Sequence, residues 1–88
     1  MIIRRRHNLG IEEARNRADR IAADIGPQLS LRSNWQGDNL MVTGRGVSGH
    51  LKVADDEIEV YVQLGFALKL MEGPIRSVIE KAIDEELA

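Results

Sequence analysis

Residues Glu57–Met71 read EIEVYVQLGFALKLM. Every even position from 58 to 70 is apolar: Ile58, Val60, Val62, Leu64, Phe66, Leu68 and Leu70. The odd positions are mostly polar or small, among them Glu59, Gln63, Gly65 and Lys69. Alternate side chains of a strand point to opposite faces, so the pattern predicts one strand over Glu57–Met71 with a single buried face. Fifteen residues extended span on the order of 45 Å, longer than the strands of a small flat sheet. Gly65, without a Cβ, is the expected bend. A strand of this kind takes neighbours on both sides and curls over a helix.

Working outward, Leu51 and Val53 alternate with Lys52 in the preceding stretch, Val47–Val53. Asp55-Asp56 turns it into the long strand. Leu40–Thr43 is a short strand, followed by the glycine-rich turn Gly44–Gly46 and preceded by the loop Gln36–Asn39. Leu29–Trp35 alternates with Leu29, Leu31 and Trp35 inward. All these connections are hairpin-short, which predicts an antiparallel meander of four strands. Ile2–His7 reads as an edge strand, with Ile3, Arg5 and His7 on one face and Ile2, Arg4 and Arg6 on the other.

Two stretches carry helical spacing. Ile11, Ala14, Ala18, Ile21, Ala22 and Ile25 form one stripe, so Gly10–Ile25 is an expected helix, stopped by Gly26-Pro27. Asn8 or Gly10 is its expected N-cap. Glu13 with Arg17, Arg15 with Asp19 and Arg20 with Asp24 are its expected ion pairs. Ile75, Val78, Ile79, Ala82, Ile83 and Leu87 form a second stripe after Gly73-Pro74, with proline at the first helical position. The expected fold is therefore one α+β domain over residues 1–88. It has a curved antiparallel five-stranded sheet and two helices on one face, in the order β-α-β-β-β-β-α, a reduced helix-grip-like arrangement. The first strand is placed beside the fifth, giving the strand order 2-3-4-5-1; the rival places it beside the second.

Composition limits the chemistry. The 88 residues contain no cysteine, so neither disulfides nor thiolate chemistry is available. No apolar run is long enough to span a membrane. The start of the chain has no apolar segment of the secretory kind, and a cytoplasmic location is the default. The net charge of −2 hides an asymmetry: residues 1–34 sum to +3 and residues 35–88 to −5. An acidic chain with only Trp35, Tyr61 and Phe66 as aromatics is a poor nucleic-acid binder.

The apparent motifs sit in the wrong settings. Gly44-Arg45-Gly46-Val47-Ser48-Gly49 spells G-x-G-x-x-G, but between two strands, where no helix N-terminus receives a phosphate. Ser48 and His50 share a strand face and lack the sharp turn that exposes a nucleophile. His7 and His50, even with Asp55 or Asp56, lack the spacing of a metal site and read as solvated side chains. No enzyme, metal or cofactor is expected. Two surfaces remain. One is the anion or partner patch Arg4, Arg5 and Arg6, split between strand faces. The other is the apolar set Val60, Val62, Leu64, Phe66, Leu68, Leu70, Met71 and Ile79, an acyl-ligand or docking surface. Phe66, Leu68, Leu70 and Met71 are expected chiefly in the core, with part of the overrunning strand uncovered.

Several stretches resemble the bacterial polyhydroxyalkanoic acid system proteins, also called PHA granule region proteins. They are His7-x-Leu9-Gly10 with Glu12-Glu13-Ala14-Arg15; Trp35 and Asp38 before Leu40; Gly46-Val47-Ser48-Gly49; Leu64-Gly65-Phe66; and Gly73 with Ile75, Ile79, Ile83 and Leu87. Val42 stands where an aromatic is expected. The resemblance implies a bacterial cytoplasmic protein linked to storage-polyester metabolism, and supplies no active-site residues. The expected function is a non-enzymatic accessory protein associated with polyester granules or their proteins. The alternative is a small carrier or sensor holding an apolar acyl ligand between the sheet and the last helix, near Val60, Val62, Leu64 and Ile79. A homodimer or docking on a granule coat is a further expectation, either through the second strand, whose edge has no proline and one charge, Arg32, or through the apolar Phe66–Met71 segment.

Overall fold

The computed structural model describes residues Met1–Ala88. The elements in chain order are β1 (Ile2–Arg6), α1 (Gly10–Leu29), β2 (Arg32–Gln36), β3 (Asn39–Gly44), β4 (Val47–Val53), β5 (Glu57–Leu64), α2 (Phe66–Lys69) and α3 (Glu72–Leu87). The strands form one antiparallel sheet in the order β1-β5-β4-β3-β2. This is the α+β architecture and strand order that the alternation and the short connections imply. β1 pairs with β5, in the register Ile3 opposite Val60 and Arg5 opposite Ile58.

Alternation sorts the side chains as expected along the paired part of β5. Ile58, Val60, Val62 and Leu64 point inward with Ile3, Leu40, Val42, Val47, Leu51 and Val53. The two long helices cover that face. Ala14, Ala18 and Ala22 of α1 are buried, and such small side chains let a helix axis approach its neighbours closely. Ile79 and Ile83 of α3 are also fully enclosed. Burial of one such aliphatic side chain stabilises the fold by about 1.5–3 kcal/mol. Gly49 of β4 is fixed by proximity: a Cβ there would stand 2.0 Å from the Tyr61 carbonyl oxygen of β5.

Three boundaries differ from the sequence reading. First, α1 does not stop before Gly26-Pro27 but continues to Leu29, with Pro27 inside its last turns. It starts after Leu9, without a side-chain cap from Asn8. The helix ends at Ser30, which takes a left-handed conformation (φ 55°). The Ser30 and Leu31 amides both donate to the Gly26 carbonyl, a closure that proline at 27 does not prevent. Consequently β2 begins at Arg32, and Leu29 belongs to the helix. Second, α3 starts at Glu72, so Pro74 is its third residue. Third, β5 ends at Leu64 rather than Met71. Leu64 lies opposite Val47, the first residue of β4, and Ile2 at the start of β1 lies opposite Tyr61. Beyond Leu64 neither neighbouring strand offers backbone partners. The chain turns helical there, the amides of Leu68–Met71 find partners within residues 65–68, and a third, short helix appears.

Two of the expected helix ion pairs are replaced by others. Glu13–Arg17 forms at 3.0 Å and Arg76–Glu80 at 2.6 Å. Arg15 instead donates to the Gly37 carbonyl and to Asp38 across the β2–β3 turn, with its guanidinium 3.9 Å above the half-buried Trp35 ring. Asp19 accepts from the Trp35 indole, and Arg20 pairs with Glu86 of α3. Arg17 also donates to the Glu86 carbonyl.

Candidate functional site

Gly65 is where strand becomes helix. Its amide donates to the Gly46 carbonyl at 2.7 Å, and a Cβ at 65 would stand 3.2 Å from that same oxygen. The expected bend within a strand is in fact the strand's end. From Gly65 the chain makes one helical turn: the Leu68 and Lys69 amides donate to the Gly65 carbonyl at 3.0 and 3.2 Å. The Met71 amide donates to Leu68, and the Ile75 amide to Met71, which opens α3.

The change from a period of two to a helical period sends the apolar side chains in opposite directions. Leu68 turns inward, packs on the core and covers the β3–β4 turn at Gly46. Phe66 and Leu70, four residues apart, share a helix side and stand out, 91% and 92% exposed. Met71 beside them is 52% exposed. The expectation that Phe66, Leu70 and Met71 belong chiefly to the core is corrected: they form a protruding apolar tip. Val60, Val62, Leu64 and Ile79 are core residues, packed with the rest of the inner face. The candidate apolar set therefore divides. Next to the tip, Leu29, Leu68, Met71, Pro74, Ile75 and Val78, with Gln28, line a shallow groove of about 270 Å³.

The three arginines of β1 are separated as their alternation requires, and each holds acids. Arg4 bonds Glu59 on the solvent face at 2.7 Å. Arg5 reaches Asp84 of α3 at 2.9 Å on the helix face, and Arg6 approaches Asp56 at 3.6 Å. The hydrogen bond from Arg4 is the main cause that holds the Glu59 carboxyl below its usual pKa, and in return it raises that of Arg4. In the same way Arg17 lowers the pKa of Glu13.

His7 is not solvated, as expected of both histidines, but buried. Its Nε2–H donates to the Ala54 carbonyl and its Nδ1 accepts the Leu9 amide, both at 3.1 Å. It thereby ties the start of α1 to the β4–β5 turn. His50 stacks on Tyr61, ring centroids 5.4 Å apart, on the sheet face that no helix covers. No group of three or more His, Asp or Glu side chains stands close enough to share a metal ion. No helix is long and apolar enough to cross a membrane. The G-x-G-x-x-G stretch is a hairpin: Gly44 pairs with Val47 across the turn Arg45–Gly46.

The sequence reading missed Gln28, Leu29, Pro74, Ile75 and Val78 as groove residues, because it ended α1 before Gly26 and continued the strand through Met71. It also gave no role to Arg45 or Lys69. The glycine-rich turn Gly44–Gly46 was the available signal; the pairing of Gly44 with Val47 and of Val47 with Leu64 then brings Arg45 beside the residues after Leu64.

A family model described as "Putative polyhydroxyalkanoic acid system protein" matches residues 1–87. No curated protein and no solved structure matches the chain.

Proposed function

The chain belongs to the family of polyhydroxyalkanoic acid system proteins, and on that premise we propose that it is a non-enzymatic accessory protein that docks on storage-polyester granules or their coat. The observation that carries this reading is the tip: Phe66 and Leu70 hold their side chains more than nine-tenths in water. Neither contributes to the core, and their solvation costs free energy that an apolar surface would recover, roughly 1.5–3 kcal/mol for each side chain fully covered. The family description names polyhydroxyalkanoic acid, which supports an aliphatic polyester as that surface. On this reading the protein resides in the cytoplasm, at the granule surface. The sheet supplies a rigid base, and Leu68 anchors the tip to it.

The test is sedimentation of the protein with polyester particles. Phe66→Ser/Leu70→Ser should lower binding by at least about tenfold, since two apolar contacts are lost. Its thermal midpoint should stay within a few degrees of wild type. Undiminished binding by the folded double variant would show that docking does not use this surface.

The alternative, a carrier of an apolar acyl ligand, is favoured by one observation, the groove of about 270 Å³ beside Met71. It would hold the ligand there, between the end of α1 and the start of α3, rather than among Val60, Val62, Leu64 and Ile79. Native mass spectrometry of the purified protein distinguishes the two readings through a retained acyl species.

A further inference from the structure

We propose that the tip docks on a lipid surface carrying anionic head groups, such as a charged amphiphile layer around an apolar body. This inference rests on the docking reading above and names the surface it selects. It comes from the distribution of charge around Phe66 and Leu70.

Most arginines of the molecule are occupied. Arg4, Arg5, Arg6, Arg15, Arg17, Arg20 and Arg76 each hold a carboxylate. Arg32, Arg45 and Lys69 are exposed and hold none. Lys52 and Lys81 are also free; Lys52 lies in β4 opposite Asn39, and Lys81 on α3. Topology brings the first three to one end of the sheet. Arg45 is in the β3–β4 turn, whose neighbour Gly46 receives the Gly65 amide and lies under Leu68. Arg32 opens β2 opposite Thr43, next to that turn. Lys69 is on α2 itself. From Phe66 to Ile79 the only acid is Glu72.

The opposite end of the sheet holds three aspartates in its turns. Asp38 sits in the β2–β3 turn, where it holds Arg15, and Asp55 and Asp56 sit in the β4–β5 turn, where Asp56 holds Arg6 and Asp55 is unpaired. A chain of net charge −2 thus places three of its five unpaired cations at the sheet end that bears the exposed apolar side chains, and the unpaired Asp55 at the far end. Such a field orients the tip toward a negative surface and keeps the far end away from it. Apolar side chains flanked by Lys69 and Arg45, with Arg32 at the same end of the sheet, fit the boundary between anionic head groups and acyl chains: Phe66, Leu70 and Met71 enter the apolar layer, and the cations meet phosphates. A bare polyester presents neutral esters and gives those cations no partner.

The experiment is flotation of the full chain with vesicles of phosphatidylcholine alone, with vesicles containing phosphatidylglycerol, and separately with bare polyester particles. Wild type should favour the anionic vesicles over the neutral ones by on the order of a hundredfold, about fivefold for each of the three cations. High salt should remove most of the difference. Arg32→Gln/Arg45→Gln/Lys69→Gln should lose the preference while keeping its thermal midpoint, and Phe66→Ser/Leu70→Ser should bind neither kind of vesicle. Should the triple variant fail to fold, the salt titration of wild type decides alone. Equal binding to neutral and anionic vesicles overturns the inference, and so does binding to polyester particles without binding to any vesicle. In both of those cases the docking function survives if the tip variant fails on polyester. Loss of every interaction overturns both. A wild-type dimer in sedimentation that the tip variant abolishes, with no vesicle binding, overturns the inference in favour of a second copy of the chain.

Discussion

At the scale of single residues, backbone proximity separates glycines that composition cannot tell apart. A methyl at Gly49 would meet the Tyr61 carbonyl oxygen at 2.0 Å, while one at Gly73 would meet nothing within 4 Å. Gly49→Ala should therefore pry β4 from β5 and cost about 3 kcal/mol or more, in the range of severe overpacking. Gly73→Ala, in the first turn of α3 and directly before Pro74, should change stability by less than about 1 kcal/mol, since the helical gain of alanine is offset by its Cβ against the proline ring. Chemical denaturation of the pair checks both. Ser30 is the complementary case, an ordinary residue at φ 55°. Ser30→Gly relieves that conformation and should raise stability by roughly 0.5 kcal/mol after the added freedom of the unfolded chain is counted. None of these values is visible in the sequence, since alternation marks faces but not how closely two backbones approach. His7 was misread for a related reason. Its polar type suggests water, yet two backbone groups satisfy both ring nitrogens.

At the scale of elements, the sheet was legible and the tip was not. Ile58, Val60, Val62 and Leu64 alternate because one face is buried, and short connections leave an antiparallel meander as the simplest path. The same alternation continues through Phe66, Leu68 and Leu70, where it misleads. A period of two reports a strand only if partners exist, and both neighbours of β5 have run out by Leu64. Partner length is a property of other segments, so no window on residues 57–71 contains it. Likewise the Gly26-Pro27 stop lost to the closing bonds at Ser30 and Leu31, which need only the Gly26 carbonyl. Leu68 now connects tip and core. Leu68→Ala should loosen α2 from the β3–β4 turn at a cost of about 1–2 kcal/mol, less than a fully enclosed leucine because Leu68 is half-buried. Amide exchange should rise at Leu68 and Lys69 but not in β3.

At the scale of the whole molecule, charge is laid out so that acid loosens it. The Glu13 and Glu59 carboxyls titrate lower in the folded chain than when free, each chiefly through an arginine hydrogen bond. A depressed carboxyl pKa adds stability above its unfolded value, and that contribution fades as pH falls through the lower, folded value. Thermal midpoints should thus be flat near neutrality and fall on the acid side, and Glu59→Gln should flatten part of that fall. The sign of the charge asymmetry was readable from residue counts, but its geometry was not. Arg32, Arg45 and Lys69 are far apart in the chain and share one end of the sheet only through strand register. Register also orders events in time. The β2–β5 hairpins join residues near one another in the chain, whereas Ile3 must find Val60 across more than half of it. Closing that loop costs entropy before any contact repays it, so β1 should dock after the folding barrier is crossed. Ile3→Ala should then accelerate unfolding and leave the refolding rate nearly unchanged, a φ-value near zero. A chain still growing would expose the outer edge of β5 while the meander already holds, and the strand made first would be the last to find its place.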